Sequence, residues 1–492
     1  MATVFALFDR LGIAFDTKVA RAGLALVAVA ATLSPTSWGS EIFQSEAVPA
    51  TVAMAVAIWS FFFALRERWL LAFAAAGIAI VVQFLVGLYA GLAIVPALLL
   101  AGWRKRSPRL LALPLALWLT PAIAIFTWML GARRDVPADF DFMEVFGRFR
   151  VPHHWFPSTG LPIQWIGDTI LLVAAVIAIR ALATLRPRRR EPLFLLGGAI
   201  ALAALGVFAN ILLVEIVPIT FVGKLQLQRL IPFGHLAAYL ALGAALATWH
   251  RHDERHQRQL RIALILAVAP LIFTAVALQL PGPVAVVALL LAVYGWISGV
   301  GRVAVPAAIL GLAALLVLVH VRPPSVFAPG VRTLLAARYD PLGERAIPGE
   351  RMIAWIRAET PKSAMLLHTP EWDDFTATLS MRARRASYVS FKNVPYTDHG
   401  VAEWQRRFER LADREIASGL HIDDARSLWR QRPSREVEQL GREVGACYLV
   451  DRIVDRADHF GEALVVDRRG DVEWGLWRIA DCDDAAPIGR AR

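Results

Sequence analysis

Cysteine and charge are both scarce in this chain of 492 residues. Its two cysteines, Cys447 and Cys482, are too few for a disulfide framework, and their spacing fits no zinc motif. Charged residues make up 19% of the chain, against about 25% in an average soluble domain. After residue 320 the sequence contains no glycine-rich phosphate loop, no GxSxG and no HExxH. The chain is therefore not a small disulfide scaffold, and none of these motifs identifies an activity.

Apolar residues are abundant, at 57% of the chain, and they are unevenly distributed. Up to about His320 the sequence is a series of long uncharged stretches, and beyond the Pro323-Pro324 pair it becomes charged. This composition differs from that of an ordinary cytosolic enzyme. It predicts a polytopic membrane domain over residues 1–320 and a soluble domain over residues 321–492.

Apolar stretches of suitable length recur through the first domain. A bilayer core about 30 Å thick requires about 20 apolar residues per helix. Eleven candidate spans meet this requirement, at 19–35, 47–65, 69–85, 87–102, 110–131, 164–185, 192–216, 230–249, 260–279, 283–299 and 303–320. The run 69–102 is too long for one span, so we expect a break between Gln83 and Gly87. The predicted fold class is thus an α-helical polytopic membrane domain of about 11 transmembrane helices, followed by a small α/β soluble domain.

Lysine and arginine cluster in every second connection, after candidate spans two, four, six, eight and ten. Short cytoplasmic loops collect these residues. We therefore expect a multi-pass protein of the bacterial inner membrane, with a cytoplasmic N-terminus and a periplasmic C-terminal domain. Most of the net charge of +11 then serves to orient the helices in the membrane lipid. Nucleic acid is for this reason not an expected partner.

Two of the three predicted outer loops carry cations, against this charge rule. The loops are 36–46, then 131–164 with Arg148 and Arg150, and 217–229 with Lys224, Gln228 and Arg229. Arginine binds phosphate through a bidentate fork, so an anionic ligand would account for these cations. The alternative is a solvated outer subdomain whose charges pair with its own carboxylates.

Candidate proton acceptors lie in the outer loops as well. Glu41 and Glu46 are the only acids of the first loop, and either carboxylate is a candidate catalytic base. His153 and His154 would point to opposite faces of an extended chain, which disfavours one shared metal ion. One of them is a candidate acid or base, because histidine titrates near pH 6.5. Alternatively, the two glutamates are solvated loop residues and the two histidines make structural hydrogen bonds. No cofactor is predicted, and a divalent metal ion is left open.

Few ionisable residues fall inside the candidate spans. Asp168 lies in span six and Glu215 at the end of span seven, and we expect both near the outer surface. A charge inside the membrane is a functional candidate by default. These two carboxylates are therefore expected to share one outer region with the basic loops.

The C-terminal domain alternates between helix and strand patterns. Helices are predicted at 350–359, 401–412 and 434–444, and strands at 364–368, 387–392, 446–451, 463–467 and 472–479. This order favours a partly parallel sheet covered by helices. Arg385 and Lys392 are candidate substrate contacts at the membrane-facing surface, or members of a basic surface that binds lipid headgroups. A bond between Cys447 and Cys482 depends on their separation, which must be within about 7 Å.

Several segments resemble a known class of membrane enzyme. AWIRAETPKSAMLL, REVGACYLVDR and VEWGLWRI, together with RFRVPHHWFP and SYVSFKNVPY, are similar to segments of bacterial proteins of the GT-C class of polytopic glycosyltransferases. Many spans, a polar outer loop and an outer α/β domain are also similar to that class. The chain departs from the class in its short first outer loop, where Glu41 and Glu46 are the acids available for the catalytic position.

The resemblance implies transfer of a sugar from a polyprenyl-phosphate carrier at the outer membrane face, in envelope polysaccharide or glycoconjugate assembly. The carrier phosphate would then be neutralised by Arg148, Arg150, Lys224 or Arg229. One alternative is an enzyme like an O-antigen polymerase or ligase. Another is a non-catalytic membrane partner or a transporter subunit of polysaccharide assembly.

Overall fold

Two compact units make up the chain in a computed structural model. The helical unit comprises Met1–Gly131 and His153–Tyr339, and the tail unit comprises Ala132–Pro152 and Asp340–Arg492. The structure describes residues 3, 7, 9–10, 49–131, 136–137, 140–159, 162–185, 191–248, 253–260, 262–263, 349–370, 374–391, 394, 397–453, 460–469 and 472–482. Candidate spans one, ten and eleven and nearly all of span nine lie outside these residues, as do Glu41, Glu46 and Lys392.

Apolar helices form the helical unit. They are α1 (Pro49–Leu65), α2 (Trp69–Val82), α3 (Phe84–Lys105), α4 (Arg109–Gly131), α5 (Pro162–Leu185), α6 (Glu191–Asn210), α7 (Thr220–Leu225) and α8 (Ile231–Ala247). In the described part of the chain, four helices are long and apolar enough to cross a membrane: Phe84–Lys105, Arg109–Met129, Trp165–Leu185 and Glu191–Ile216. The protein is therefore a helical membrane protein with a small sheet-containing region, and the count of eleven spans stays a prediction.

The long apolar run divides where the sequence predicts a break. Gln83 has an extended backbone, with φ of −151° and ψ of 113°, and separates α2 from α3. Its side-chain oxygen accepts a hydrogen bond from the amide of Val86 at 2.7 Å, which satisfies one free donor at the start of α3. A polar residue that caps a helix thus ends one span and begins the next.

Basic connections gather at one end of the helical unit. Lys105, at the end of α3, lies 3.3 Å from Glu67, which follows α1. Arg104 pairs with Glu191 at the start of α6, and Arg10 also pairs with Glu67. These ion pairs bring the ends of α1 and α3 and the start of α6 together, and the side of the membrane on which they lie stays a prediction. We refer to this region as the basic end.

A five-stranded mixed sheet forms the centre of the tail unit. Its strands are β1 (Met365–His368), β2 (Ala386–Ser387), β3 (Tyr448–Arg452), β4 (Val465–Arg469) and β5 (Val472–Arg478), in the order β2-β1-β3-β5-β4. Strand β1 is parallel to β2 and β3, whereas β5 is antiparallel to β3 and β4. The predicted partly parallel sheet is confirmed.

Helices surround this sheet, and two of them were not predicted. They are α9 (Glu350–Glu359), α10 (Asp374–Ala383), α11 (Asp398–Ala412), α12 (Ile422–Gln431) and α13 (Ser434–Val444). The predicted strand 387–392 is wrong beyond Ser387, because the chain leaves the sheet there to pack on α11. The Trp404 indole donates to the carbonyl of Ser390 at 2.9 Å, and Phe391 packs beside it.

A segment from the connection between α4 and α5 belongs to the tail unit. This strap, Met143–Arg150, is a wide helical turn. The Phe149 ring lies 5.7 Å from that of Phe391, 6.2 Å from Trp404 and 5.3 Å from Phe408. Because the strap packs into this aromatic cluster, the α4–α5 connection and the tail unit occupy the same compartment.

The two cysteines form a disulfide bond. Cys447, just before β3, and Cys482, after β5, are bonded with their Cα atoms 5.2 Å apart. The pairing that the sequence left open is therefore present. Such bonds persist in oxidising compartments and are rare in the cytosol.

Candidate functional site in the helical unit

The chain between α6 and α8 turns back along α6. A Cβ atom added to Gly206 would lie 2.8 Å from the carbonyl oxygen of Leu227. Gly206 precedes Ile216, the last residue of this helical stretch, by ten residues, or about 15 Å of helix. Val217–Leu230, which we call the re-entrant segment, therefore reaches back into the helical unit. Irregular backbone at membrane depth is tolerated only where protein or a water-filled cavity surrounds it.

Close contacts hold the re-entrant segment in place. Helix α7 is followed by Gln226, whose backbone is left-handed, with φ of 51° and ψ of 59°. The Tyr89 hydroxyl in α3 donates to the carbonyl of Leu225. Gly223 faces the ring of Trp155, and a Cβ atom at that position would overlap the ring. Glycine is therefore required where the segment approaches the aromatic side chain.

Polar side chains are concentrated in this segment. Lys224 and Arg229 are half-buried, and Arg229 is close enough to Tyr89 for an electrostatic interaction. Gln226 and Gln228 are buried, with 2% and 1% of their surface exposed. The structure thus brings together three of the predicted ligand-binding residues, Lys224, Gln228 and Arg229.

A buried histidine lies beside a carboxylate near the start of α8. Nε2 of His235 is 3.1 Å from Oδ1 of Asp168 in α5, and the His235 side chain is fully buried. Sequence reasoning singled out Asp168 and missed His235, although a histidine within the otherwise apolar α8 was a visible signal.

The turn that follows the strap packs against the end of α6. Asn210 donates from Nδ2 to the carbonyl of Trp155 at 2.7 Å, and the Ser158 amide donates to Oε1 of Glu215 at 2.7 Å. His154, beside Trp155, is half-buried. The backbone of His153 lies in the same short helix, and its side chain is outside the described residues. Glu215 is thus a structural partner of this turn.

The other predicted cations have roles inside the tail unit. Arg148 is 3.1 Å from Glu144 one turn earlier, as the alternative of internal pairing predicted. The Arg150 guanidinium is buried 4.7 Å above the Phe391 ring. Both contacts are local to the strap and the aromatic cluster on which it packs.

Arg385 is buried, so its predicted surface position is wrong. It donates to the hydroxyl and the carbonyl of Thr360, at 2.9 and 2.6 Å, and to the carbonyl of Arg357 at 3.1 Å. The last carbonyls of a helix lack partners within it, and Arg385 supplies donors for those at the end of α9. Substrate binding by Arg385 has no support in these contacts.

No group of three or more histidine, cysteine, aspartate or glutamate side chains is arranged to hold a metal ion within the described ranges.

Comparison with known proteins gives one family match. A model described as a domain of unknown function, DUF6798, matches residues 348–411. This stretch contains α9, β1, α10, β2 and most of α11, and therefore the three rings that receive Phe149. No curated protein and no solved structure matches the chain.

Proposed function

We propose that the protein transfers a sugar from a polyprenyl-phosphate carrier at the outer face of the bacterial inner membrane, in envelope polysaccharide or glycoconjugate assembly. The observation that carries this proposal is the re-entrant segment. It brings Lys224, Gln228 and Arg229 into an apolar helical unit that also holds Asp168 beside the buried His235. A carrier with a long apolar tail and a phosphate requires both kinds of surface.

Two independent features support the proposed orientation. Basic connections mark the cytoplasmic side, and the re-entrant segment contacts Tyr89, which precedes Lys105 by sixteen residues, or about 24 Å along α3. The disulfide bond between Cys447 and Cys482 supports an oxidising compartment for the tail unit. The first feature favours an outer location for the polar segment, and the second favours an outer location for the tail unit.

The chemistry assigns separate tasks to the polar groups. Lys224 and Arg229 neutralise the carrier phosphate, because charge-assisted hydrogen bonds are the strong ones at low dielectric constant. A base removes the proton of the acceptor hydroxyl as the sugar is transferred. Glu41, Glu46, His153 and His154 remain the candidates for that base. His154 is adjacent in sequence to Trp155, which contacts the re-entrant segment.

Mass spectrometry of lipid-linked sugars in a strain that lacks the gene tests this function. We expect a polyprenyl-phosphate monosaccharide to accumulate, and the wild-type gene to remove it. Arg229→Ala should lower the restored transfer by about 10- to 100-fold, the effect of losing hydrogen bonds to a charged group. Lys105→Ala, at the basic end, is the matched control and should restore normal transfer.

The accumulated species separates the alternatives. A complete lipid-linked oligosaccharide would indicate a polymerase or a ligase instead. An unchanged lipid profile, or full transfer by a variant lacking both Lys224 and Arg229, would contradict the proposed phosphate site.

A further inference from the structure

Two buried glutamines lie at the centre of the re-entrant segment. Oε1 of Gln226 and both Oε1 and Nε2 of Gln228 have no hydrogen-bond partner among the residues that the structure describes. An unpaired buried amide carries its full desolvation penalty, which a leucine or methionine of similar size would avoid. Because folded proteins pair nearly all such groups, these amides point to partners that come from outside the chain.

The chemistry of the amide group restricts the ligand. Its carbonyl accepts hydrogen bonds, its NH₂ group donates them, and it has no net charge. A hydroxyl group also donates and accepts, so adjacent hydroxyls on a sugar ring can engage both ends of one amide. An anion would engage only the NH₂ group and a cation only the carbonyl. Two buried amides therefore favour an uncharged ligand with several hydroxyls.

The charges of the segment lie on either side of the glutamines. Lys224 precedes Gln226, and Arg229 follows Gln228. Both cations are half-buried, whereas both glutamines are buried. This difference in burial distinguishes the two half-buried cations, which suit a phosphate, from the two buried amides, which suit hydroxyl groups.

We propose that Gln226 and Gln228 bind the hydroxyls of an uncharged sugar and select it over a sugar that carries a charge. This inference rests on the proposed function, in which the sugar is carried by a lipid phosphate held by Lys224 and Arg229. It adds a restriction on the class of sugar that the transfer reaction accepts.

Binding to the full-length protein in lipid nanodiscs tests the inference. The probes are octyl β-D-glucoside, octyl β-D-glucuronide and octyl phosphate, each below its micellar concentration, and the readout is the ligand-dependent rise in melting temperature. We expect wild-type protein to bind the glucoside at least about tenfold more tightly than the glucuronide. Gln228→Leu should weaken glucoside binding by about tenfold or more and leave octyl phosphate binding within about twofold.

Arg229→Ala is the matched variant and should show the reverse pattern, with octyl phosphate binding weakened. Gln226→Met tests the same amide site if Gln228→Leu does not fold. Unchanged glucoside binding in the folded glutamine variant, or equal binding of glucoside and glucuronide by wild-type protein, would overturn the inference. Failure of wild-type protein to bind octyl phosphate would count against the phosphate site of the proposed function and leave the glucoside result to stand separately.

Discussion

Single arginines show why a cation in a sequence does not identify an anion site. Arg150 lies over an aromatic ring, and Arg385 supplies donors to carbonyls at the end of α9. The ring is remote in sequence from Arg150. The carbonyls that Arg385 contacts lack other partners only because the folded helix α9 ends there. Arg229 carries the same charge but sits in the re-entrant segment. The surroundings of each arginine, which the sequence does not show, separate these roles.

An exposed ion pair gives a prediction about pH. Arg410 of α11 donates to Glu443 of α13 at 2.7 Å, and this hydrogen bond holds the pKa of the Glu443 carboxyl below its usual range. A carboxylate with a lowered folded pKa stabilises the fold above its unfolded pKa of about 4.3. That contribution is lost as the pH falls through the folded pKa.

We therefore expect Glu443→Gln to increase slightly the amide hydrogen exchange of α13 at neutral pH, and we expect this effect to shrink as the pH falls below the unfolded pKa of about 4.3. The effect at neutral pH should be about twofold or less, because exposed ion pairs contribute little. Comparing variant and wild-type chains at the same pH cancels the intrinsic exchange rate. A difference that stays constant as the carboxylate is titrated with acid would contradict the assignment to Glu443.

Whole elements were predictable where a local pattern was strong. The break at Gln83, helices α9 and α13 and the positions of strands β1, β3, β4 and β5 followed from hydrophobic period and turn residues. Helix α12 was missed although His421 and Asp424 form a reciprocal cap at its start. Helix α10 was missed because its two threonines and one serine lower the helix preference of a short segment. In the sequence, the buried face of α10 shows only as apolar residues four positions apart, at Phe375, Leu379 and Ala383.

The re-entrant segment was not predictable, because its position depends on close packing between elements. Gly206 in α6 permits the carbonyl of Leu227 to approach, and α6 offers a second glycine with open surroundings at Gly197. Gly206→Ala would place a methyl group 2.8 Å from that carbonyl, so we expect it to displace the segment and destabilise the helical unit by about 1–3 kcal/mol. Gly197→Ala should be neutral or stabilising by up to about 1 kcal/mol.

Melting temperatures of the two variants in nanodiscs distinguish these outcomes. Binding of octyl phosphate, which we assign to Arg229, should weaken in Gly206→Ala and stay unchanged in Gly197→Ala. Equal stability of the two variants would mean that the segment does not pack against α6 at Leu227.

At the scale of the molecule, the strap contributes to a unit that lies far from it in sequence. Phe149 and its partner Phe408 are separated by more than 250 residues, and nothing in the local pattern of either segment indicates the contact. We expect Phe149→Ala to destabilise the tail unit by about 2 kcal/mol. This is less than the cost of removing a fully buried phenylalanine, because the Phe149 ring is half-buried. Amide hydrogen exchange of α11 measures this effect in the full-length chain.

Met381→Ala is the control for this prediction, because Met381 also presents a large apolar side chain but is 72% exposed. It should leave the exchange of α11 unchanged. Combining Phe149→Ala with Phe391→Ala should cost less than the sum of the two single changes, since both remove the same contact. Additive effects would mean that the two rings do not depend on each other.

The membrane orientation can be tested with single added cysteines, because both native cysteines are joined in one disulfide bond. Arg148 on the strap, Met381 in the tail unit and Arg106 at the basic end are all exposed. An impermeant maleimide applied to intact spheroplasts should label Arg148→Cys and Met381→Cys, and it should label Arg106→Cys only after lysis. Different behaviour of the first two would contradict the packing of the strap in the tail unit. Labelling of Arg106→Cys alone would keep that packing but invert the chain, and it would place the polar re-entrant segment on the cytoplasmic side, where transfer at the outer face could not occur.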